Sequence, residues 1–329
     1  MVSGPAHKSA AAATERALVV RVDFGACTLR ADDGRLLEAI VRGSVMGRRK
    51  ALGNAVVVGD MACYSIERER NVITGVEPRR NVFSRRASGE RVEEQIVAAN
   101  LDQIVLVVSL RDPEFKPGFA DRVLAQAAHQ GIPSRLALNK VDVADRAEAR
   151  SRLGDYARAG VAGLAVSAKT GEEVDHLRQV CRGRRTLFVG HSGVGKSTLL
   201  NALAPTLELV AGEVNRVTGK GRHTTTAAWL VRPEPDLELI DTPGVRGFGL
   251  WGIGPRDLDQ AYPEFRPLLG ECRFADCRHD REPGCALHVA AKSGAIAPRR
   301  LESYLKLREE LEAESGGGMH GRGRARGDA

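Results

Sequence analysis

The stretch Gly190-His191-Ser192-Gly193-Val194-Gly195-Lys196-Ser197 decides the fold of this 329-residue chain. It matches the pattern G-x-x-x-x-G-K-[ST], in which backbone N–H groups of a glycine-rich loop surround phosphate oxygens. A predicted strand (Thr186–Val189) precedes it and a predicted helix (Thr198–Leu203) follows it, as the pattern requires, so a chance glycine-rich turn is disfavoured. We expect the following residues to bind the phosphates of a nucleotide: Gly190, His191, Ser192, Gly193, Val194, Gly195, Lys196, Ser197 and Thr198.

Composition indicates a globular chain of several domains with a polyanionic partner. Its 49 basic and 42 acidic residues give a net charge of +7, which favours a partner such as nucleic acid, although solubility alone would also explain it. No apolar run reaches the length of a membrane span. The N-terminal segment 1–16 is small and polar, and we expect it to be a disordered leader. Six cysteines beside a nucleotide motif indicate a reducing cytoplasm, with a metal rather than disulfides.

Residues 17–91 are predicted to form a small β-barrel of the OB type. Short β-type runs follow one another there: Ala17–Val22, Cys27–Ala31, Leu36–Val41, Ala55–Val58, Cys63–Ile66 and Val72–Val76. Asp33-Gly34 between two runs predicts a hairpin. Basic residues fall in the expected loops: Arg42, Arg48, Arg49, Lys50, Arg68, Arg70, Arg79, Arg80, Arg85 and Arg86. They favour contact with RNA phosphates, with a merely solvated rim as the alternative.

The central segment, 92–249, alternates strands with helices. Ile104–Leu110 is an apolar run typical of a buried parallel strand, and helical spacing follows over Pro117–Gln130. Further strands are predicted at Ser134–Leu138 and Val161–Val166, and further helices at Ala144–Ala159 and Glu172–Cys181. The alternation predicts a parallel α/β sheet.

Two strands of this segment end in elements suited to reading guanine. The first element is Asn-Lys-Val-Asp and the second is Ser-Ala-Lys. The carboxylate of Asp142 would accept bonds from N1–H and the exocyclic amine of guanine, which adenine cannot offer. Lys140 would lie along the ring, and the Ala168 N–H would meet the O6 carbonyl. The expected base-binding residues are Asn139, Lys140, Val141, Asp142, Ser167, Ala168 and Lys169.

A third element, Asp-Thr-Pro-Gly, follows the predicted strand Leu237–Ile240. Asp241 would hold Mg²⁺ through water, and the Gly244 N–H would contact the terminal phosphate. The hydroxyls of Ser197 and Thr225 would bind Mg²⁺ directly, and Thr225 lies in a basic loop rich in threonine. The order is unusual for a GTPase because both guanine-reading elements precede the phosphate loop. The domain is therefore predicted to be circularly permuted, with the Asp-Thr-Pro-Gly loop running straight into the next domain.

The C-terminal segment, 250–315, holds four soft metal ligands within fourteen residues: Cys272, Cys277, His279 and Cys285. Three thiolates and an imidazole suit one closed, structural Zn²⁺ site. Neighbouring residues, Arg273, Arg278, Arg281 and His279 itself, are expected to make this surface basic. A helix is predicted over Pro298–Glu312, and residues 316–329 are expected to be a disordered Gly/Arg tail.

Motif order, together with Asp-Thr-Pro-Gly-Val-Arg-Gly-Phe-Gly-Leu (241–250) and Gly-Arg-His-Thr-Thr (221–225), resembles the ribosome-small-subunit-dependent GTPase family, RsgA or YjeQ. The resemblance extends from about Ala17 to Leu311. It implies an N-terminal OB barrel, a permuted GTPase domain and a C-terminal zinc domain. It also implies a cytoplasmic enzyme that acts late in assembly of the small ribosomal subunit and is stimulated by that subunit.

A catalytic residue is less evident. The position after Asp-Thr-Pro-Gly is Val245, which cannot orient water. His223 is the nearest candidate, and the resemblance implies a histidine in this motif; contact with RNA or solvent is the alternative. His191 is interpreted chiefly as a packing residue whose side chain points away from the phosphates.

Three readings therefore stand. The leading one is a monomeric GTPase that binds GTP and GDP, contacts rRNA of the small (30S) subunit, and uses hydrolysis to leave it. The second is a nucleotide-gated RNA-binding module with incidental hydrolysis. The third, a zinc-dependent DNA-binding protein, is disfavoured because no helix shows base-reading placement.

Overall fold

The computed structural model describes residues 14–23, 25–46, 54–87, 93–205, 228–242 and 247–317, the last with side chains to 314. Within them the strands are β1 (Glu15–Asp23), β2 (Ala26–Arg30), β3 (Leu36–Val41), β4 (Met61–Glu67), β5 (Arg70–Val76), β6 (Val82–Arg86), β7 (Glu94–Ala99), β8 (Gln103–Ser109), β9 (Ser134–Asn139), β10 (Ala162–Ala165), β11 (Arg184–Gly190), β12 (Trp229–Glu234) and β13 (Leu237–Asp241). The α-helices there are α1 (Pro117–His129), α2 (Arg146–Arg158), α3 (Val174–Cys181), α4 (Lys196–Leu203), α5 (Ala286–Ser293) and α6 (Pro298–Gly317).

The N-terminal strands close into a five-stranded barrel in the order β1-β2-β3-β5-β4, with β4 pairing back onto β1. All pairs are antiparallel except β3 with β5. The predicted hairpin is confirmed, with Gly34 at φ 87° in the turn between β2 and β3. The predicted OB-type barrel is therefore confirmed.

One predicted strand of the barrel is wrong. Residues 55–58 form turns, although Val56, Val57 and Val58 are buried. The buried carboxylate of Asp60 accepts the Val57 N–H at 2.8 Å, which holds this segment in a turn. The apolar residues of this segment correctly indicate burial, but the hydrogen bond to Asp60 makes the backbone turn and prevents a strand.

The central sheet has the order β10-β9-β8-β11-β13-β12. Its pairs are parallel except for β12, which runs antiparallel to β13. Helices cover both faces, since α1 and α2 pack on one apolar cluster while α3 and α4 pack on the other. The prediction of a permuted α/β domain is confirmed, because the phosphate-loop strand β11 lies in the middle of the sheet although it comes late in the chain.

The sequence patterns did not predict the antiparallel hairpin of β6 and β7, the strand β12 or the helix α5. Arg85 and Arg86, expected in a loop, lie on β6. Phe83 of this hairpin stacks on Phe248, with ring centroids 5.5 Å apart. The hairpin thus packs against the segment that follows the Asp-Thr-Pro-Gly motif.

A small helical module follows, built from α5, α6 and two 3₁₀ turns, Asp259–Ala261 and Arg266–Leu268. Its core is aromatic, with Tyr262, Phe265 and Tyr304 in mutual ring contact. Ala125 of α1 belongs to the same apolar cluster, so this module shares its core with the central domain. Helix α6 runs to Gly317, beyond the predicted end at Glu312. In the described part of the chain no helix is both long and apolar enough to cross a membrane.

Candidate nucleotide and metal sites

The phosphate loop joins the end of β11 to the start of α4. Gly193 and Gly195 adopt φ values of 88° and 86°, which glycine reaches without steric cost. A Cβ at Gly190 would lie 2.8 Å from the carbonyl oxygen of Val107, and one at Gly195 would lie 2.5 Å from Asn139 Nδ2. The backbone therefore passes where only glycine fits.

The loop lysine is directed to the end of β13. Lys196 is 7% exposed, and its Nζ donates to the Asp241 carboxylate and to the Thr242 carbonyl oxygen. Burial raises the pKa of Asp241, and the Lys196 ammonium opposes that rise. Thr242 is held in turn, because its hydroxyl donates to the Phe188 carbonyl oxygen at 2.8 Å. The aspartate of Asp-Thr-Pro-Gly thus lies beside the phosphate loop.

Asn139 connects the base-reading element to the phosphate loop. Its Nδ2 donates to the Val194 carbonyl oxygen at 2.9 Å, and its Oδ1 accepts the Ala168 N–H at 3.1 Å. One buried amide therefore links three segments that are far apart in the chain. The Ala168 N–H, expected to face guanine O6, is directed to this amide instead.

Around Asn139 the remaining base-reading residues divide into buried and accessible ones. Asn139, Val141 and Ser167 are each at most 1% exposed, so they shape the pocket from behind. The Ser167 hydroxyl donates to Asp142 Oδ1 at 2.7 Å and orients that carboxylate. Lys140 has φ 62° and donates from Nζ to the Asp112 carbonyl oxygen. Lys169 is exposed.

His191 packs beside the loop. Its ring meets Phe119 edge-on, with centroids 5.8 Å apart, and its Nε2 lies 3.4 Å from Lys116 Nζ. This placement matches the packing role expected for it. Another neighbour, Pro113, lies 3.4 Å from where a Gly193 Cβ would be. No sequence signal marks Pro113 or Lys116, since only tertiary packing brings them to the loop.

The four predicted metal ligands converge in the C-terminal module. The ligand atoms of Cys272, Cys277, His279 and Cys285 all lie within 4.8 Å of one another. His279 Nδ1 is 3.5 Å from both Cys272 Sγ and Cys285 Sγ. Ligands at zinc–thiolate distance on a tetrahedron are about 3.8 Å apart, so this donor set fits a tetrahedral ion.

Electrostatics and outer contacts also suit a cation. Burial lowers the pKa of His279, which favours the neutral imidazole that binds metals, and burial raises the pKa of the Cys285 thiol. A bound divalent cation would reverse the second effect by stabilising the thiolate. The Asp259 carboxylate lies 4.0 Å from His279 Nε2, where metal-binding histidines commonly have an acidic partner.

The expectation that His279 adds to a basic surface is wrong, because it is only 6% exposed. Arg273, Arg278 and Arg281 of the metal loop are exposed, and Arg278 pairs with Glu312. In the barrel region the half-buried Arg79 pairs with the buried Asp60, and the exposed Arg80 pairs with Asp102. These ion pairs reduce the positive charge that the two surfaces offer to a partner.

Three predicted site residues, His223, Thr225 and Gly244, lie outside the described residues, as do Arg48, Arg49 and Lys50. That the described site residues bind GTP and metal stays a prediction.

Comparison with known proteins decides the family. The model of the RsgA GTPase family matches residues 76–251. The chain belongs to the RsgA GTPase family. The family is one of GTP-hydrolysing enzymes, and the sheet order and the phosphate loop of this chain fit that activity.

Relatives span nearly the whole chain. A protein of Bacteroides fragilis named small ribosomal subunit biogenesis GTPase RsgA is 37% identical over 301 residues, covering 90% of this chain and 97% of the relative. A protein of the same name from Gemmatimonas aurantiaca is 39% identical over 304 residues, covering 91% and 98%.

Solved structures agree on the fold. The crystal structure of YjeQ from Thermotoga maritima matches with a TM-score of 0.70 and 29% identity, covering 91% of this chain and 99% of that one. A circularly permuted GTPase, YloQ, matches with a TM-score of 0.67 over 94% of this chain and, at 22% identity, supports the fold alone.

Proposed function

We propose that this protein hydrolyses GTP to GDP and phosphate on the small (30S) ribosomal subunit, late in its maturation. The subunit stimulates hydrolysis, and hydrolysis drives release of the protein. Support comes from the family and from relatives named for small-subunit biogenesis. The observation that carries the proposal is the bond from Asn139 to the Val194 carbonyl oxygen, because it joins a base-reading loop to a phosphate-binding loop.

In this reaction a water oxygen attacks the γ-phosphorus while the bond to the β–γ bridging oxygen breaks, and the electron pair leaves on GDP. Lys196 stabilises charge on the phosphate oxygens, helped by the N–H groups of the loop. The carboxylate of Asp142, oriented by Ser167, selects guanine. The Gly244 N–H contacts the γ-phosphate.

Mg²⁺ bound with GTP would neutralise phosphate charge. The hydroxyls of Ser197 and Thr225 would hold it, with Asp241 acting through water. The fit is supported by Asp241, whose carboxylate reaches the loop lysine. Because Val245 cannot orient water, His223 is proposed as the catalytic residue in the reaction that the subunit stimulates.

The cysteine–histidine cluster is proposed to hold one structural Zn²⁺ per chain. All four donors come from the protein, so no position is left for substrate. This ion would stabilise the fold of the C-terminal module, whose core it adjoins through the buried Cys285.

Contact with rRNA is proposed through cations that the fold leaves accessible. In the barrel these include the exposed Arg68, in the turn between β4 and β5, and the exposed Arg70, at the start of β5; in the metal loop they include Arg273 and Arg281. Their contribution would be mainly to phosphates, and so binding should weaken as salt rises. A cytoplasmic monomer is the simplest state for this role.

The deciding experiment measures GTP turnover alone, with 30S subunits, with 50S subunits and with DNA. Strong stimulation by 30S subunits only is expected, and His223→Ala should abolish the stimulation while GDP affinity is retained. Nucleotide-dependent binding to 30S without faster turnover would instead favour an RNA-binding module. If ATP displaced bound GTP as effectively as an equal concentration of unlabelled GTP does, the assignment of guanine as the recognised base would be contradicted.

A further inference from the structure

Helix α1 touches the phosphate loop near its beginning. Phe119 meets His191 edge-on with centroids 5.8 Å apart, and Lys116, just before the helix, lies 3.4 Å from His191 Nε2. Phe119 is 9% exposed and belongs to the central core. A shift of this helix would therefore move the loop through His191.

Two residues further along, α1 is bound to the C-terminal module by a buried ion cluster. Arg300 of α6 is 4% exposed and Asp121 of α1 is 1% exposed. The Arg300 guanidinium donates from Nη1 to Asp121 Oδ1 and from Nε to Glu264 Oε1, the second at 2.7 Å. Separating such a pair would leave a buried charge without compensation, so the contact between α1 and the C-terminal module resists separation.

Aromatic residues enclose this ion cluster. Tyr156 of α2 donates from its hydroxyl to Asp121 Oδ1 at 3.0 Å, and the Arg300 guanidinium lies 4.4 Å from the centre of the Tyr262 ring. One turn beyond Asp121, Ala125 is part of the apolar core of the C-terminal module. Helix α1 is thus fixed to that module by charge and by packing.

The same module carries the metal cluster. Tyr304 follows Arg300 by one turn of α6, and its ring centroid lies 6.4 Å from that of His279. Tyr304 also meets the Tyr262 ring edge-on, at 5.4 Å. A continuous set of packed side chains therefore runs from the metal ligand His279 to Arg300, and through α1 to the phosphate loop.

We propose that Arg300 is a positioning residue for nucleotide binding. Its bond to Asp121 holds α1 against the metal module. Because α1 contacts His191, the position of the phosphate loop then depends on the state of that module. The inference rests on the proposed nucleotide and zinc sites. Because such coupling is reciprocal in binding free energy, bound nucleotide strengthens metal binding by the factor by which the metal strengthens nucleotide binding.

The test uses the full-length, zinc-loaded protein and two readouts, the Kd for fluorescent GDP and the Kd for zinc from equilibrium competition with a chromogenic chelator. Arg300→Met should weaken GDP binding by roughly tenfold. Tyr156→Phe, which removes one hydrogen bond to Asp121, should weaken it roughly two- to threefold. The matched control is Arg299→Met, whose side chain is 58% exposed and pairs with Asp155, and it should bind GDP like the parent.

In the parent protein GDP should lower the Kd for zinc, and in Arg300→Met this effect should disappear. A mutant cycle of Arg300→Met with Phe119→Leu should be non-additive for GDP affinity, because both act through α1. If Arg300→Met does not fold, Tyr156→Phe carries the same comparison.

Folded variants that bind GDP like the parent, or an equal effect of GDP on the Kd for zinc in parent and Arg300→Met, would overturn the inference. So would additivity in the cycle. A parent protein that binds neither GDP nor zinc would instead overturn the proposed function.

Discussion

The metal cluster and the nucleotide pocket are built in opposite ways. The four metal ligands lie in the single segment 272–285, whereas Asn139 reaches across 55 residues of chain to bind Val194. The first site depends on local chain geometry, and the second depends on a folded sheet that brings distant loops to one edge. Loss of the metal should therefore unfold a module, and changes in the pocket should weaken ligand binding while the fold persists.

The largest effect is expected at the metal cluster. Cys277→Ser removes one of four donors, and binding of a structural zinc ion provides on the order of 10 kcal/mol in small zinc modules. Zinc content should fall to near zero in native mass spectrometry, and proteolysis should begin after residue 250 while the central domain survives. Cys63→Ser, a half-buried cysteine of the barrel, is the control. A Cys277→Ser protein that keeps its zinc would remove the contrast between the two sites.

Gly195→Ala is expected to be the most damaging change in the pocket. Its Cβ would lie 2.5 Å from Asn139 Nδ2 at a φ of 86°, so both the loop and the asparagine must shift. GDP affinity should fall by about 2–4 kcal/mol in fluorescence titration, while the melting temperature changes less. Gly171→Ala is a matched control, since Gly171 has φ 83° but no atom within 4 Å of its Cβ position. Equal losses in both would mean that backbone strain alone is responsible.

Asn139→Ala should weaken the pocket without a clash. It removes the bonds to Val194 and Ala168, and leaving buried partners unpaired costs about 1–3 kcal/mol. Calorimetry with GDP would measure the loss, with Asn201→Ala on the exposed side of α4 as the control. Unchanged affinity would show that the two loops are held together by other contacts.

The smallest effect concerns pH and the junction between hairpin and sheet. Burial opposes ionisation of Asp102, but the Arg185 N–H and the Arg80 guanidinium together hold its pKa below the ordinary value. The stability this carboxylate contributes is therefore present above the ordinary aspartate pKa and is lost as pH falls through the folded-state pKa. Denaturation at pH 7 and pH 3 measures how much unfolding free energy is lost on acidification. This loss should be about 0.5–1 kcal/mol smaller in Asp102→Asn than in the parent protein. Asp175→Asn, on an exposed side chain of α3, is the control, and identical profiles would refute this contribution.

Regular periodicity made most of the fold predictable. The apolar run of β8 and the hairpin at Gly34 are local patterns, and the structure confirms both. The turn at residues 55–58 was misread because burial depends on the side chains, while strand formation depends on a partner for the backbone. The hairpin of β6 and β7 has no comparable local pattern, and its Phe83 stacks on Phe248, which lies far along the chain.

Sequence motifs predicted most residues of the candidate sites, but not the residues that contact and orient them. Lys196 and the metal ligands could be read from spacing, since their chemistry requires those residue types at those intervals. Asp112, which accepts a bond from Lys140, and Asp259, which lies beside His279, carry no such signal. Their roles arise only from packing.

The sequence by itself determined the chemistry of this protein: a loop for phosphates, a carboxylate suited to guanine and four donors for a metal, all read from short stretches of chain. The tertiary structure decided which charged side chains remain exposed and which are paired with carboxylates and withdrawn from solvent. Nothing in the sequence distinguishes Arg79 and Arg300 from exposed basic residues, yet Arg79 is half-buried against Asp60 and Arg300 is buried against Asp121 and Glu264. The physical reason is that a motif needs only neighbouring residues, whereas desolvation and ion pairing depend on which distant segments the fold brings together.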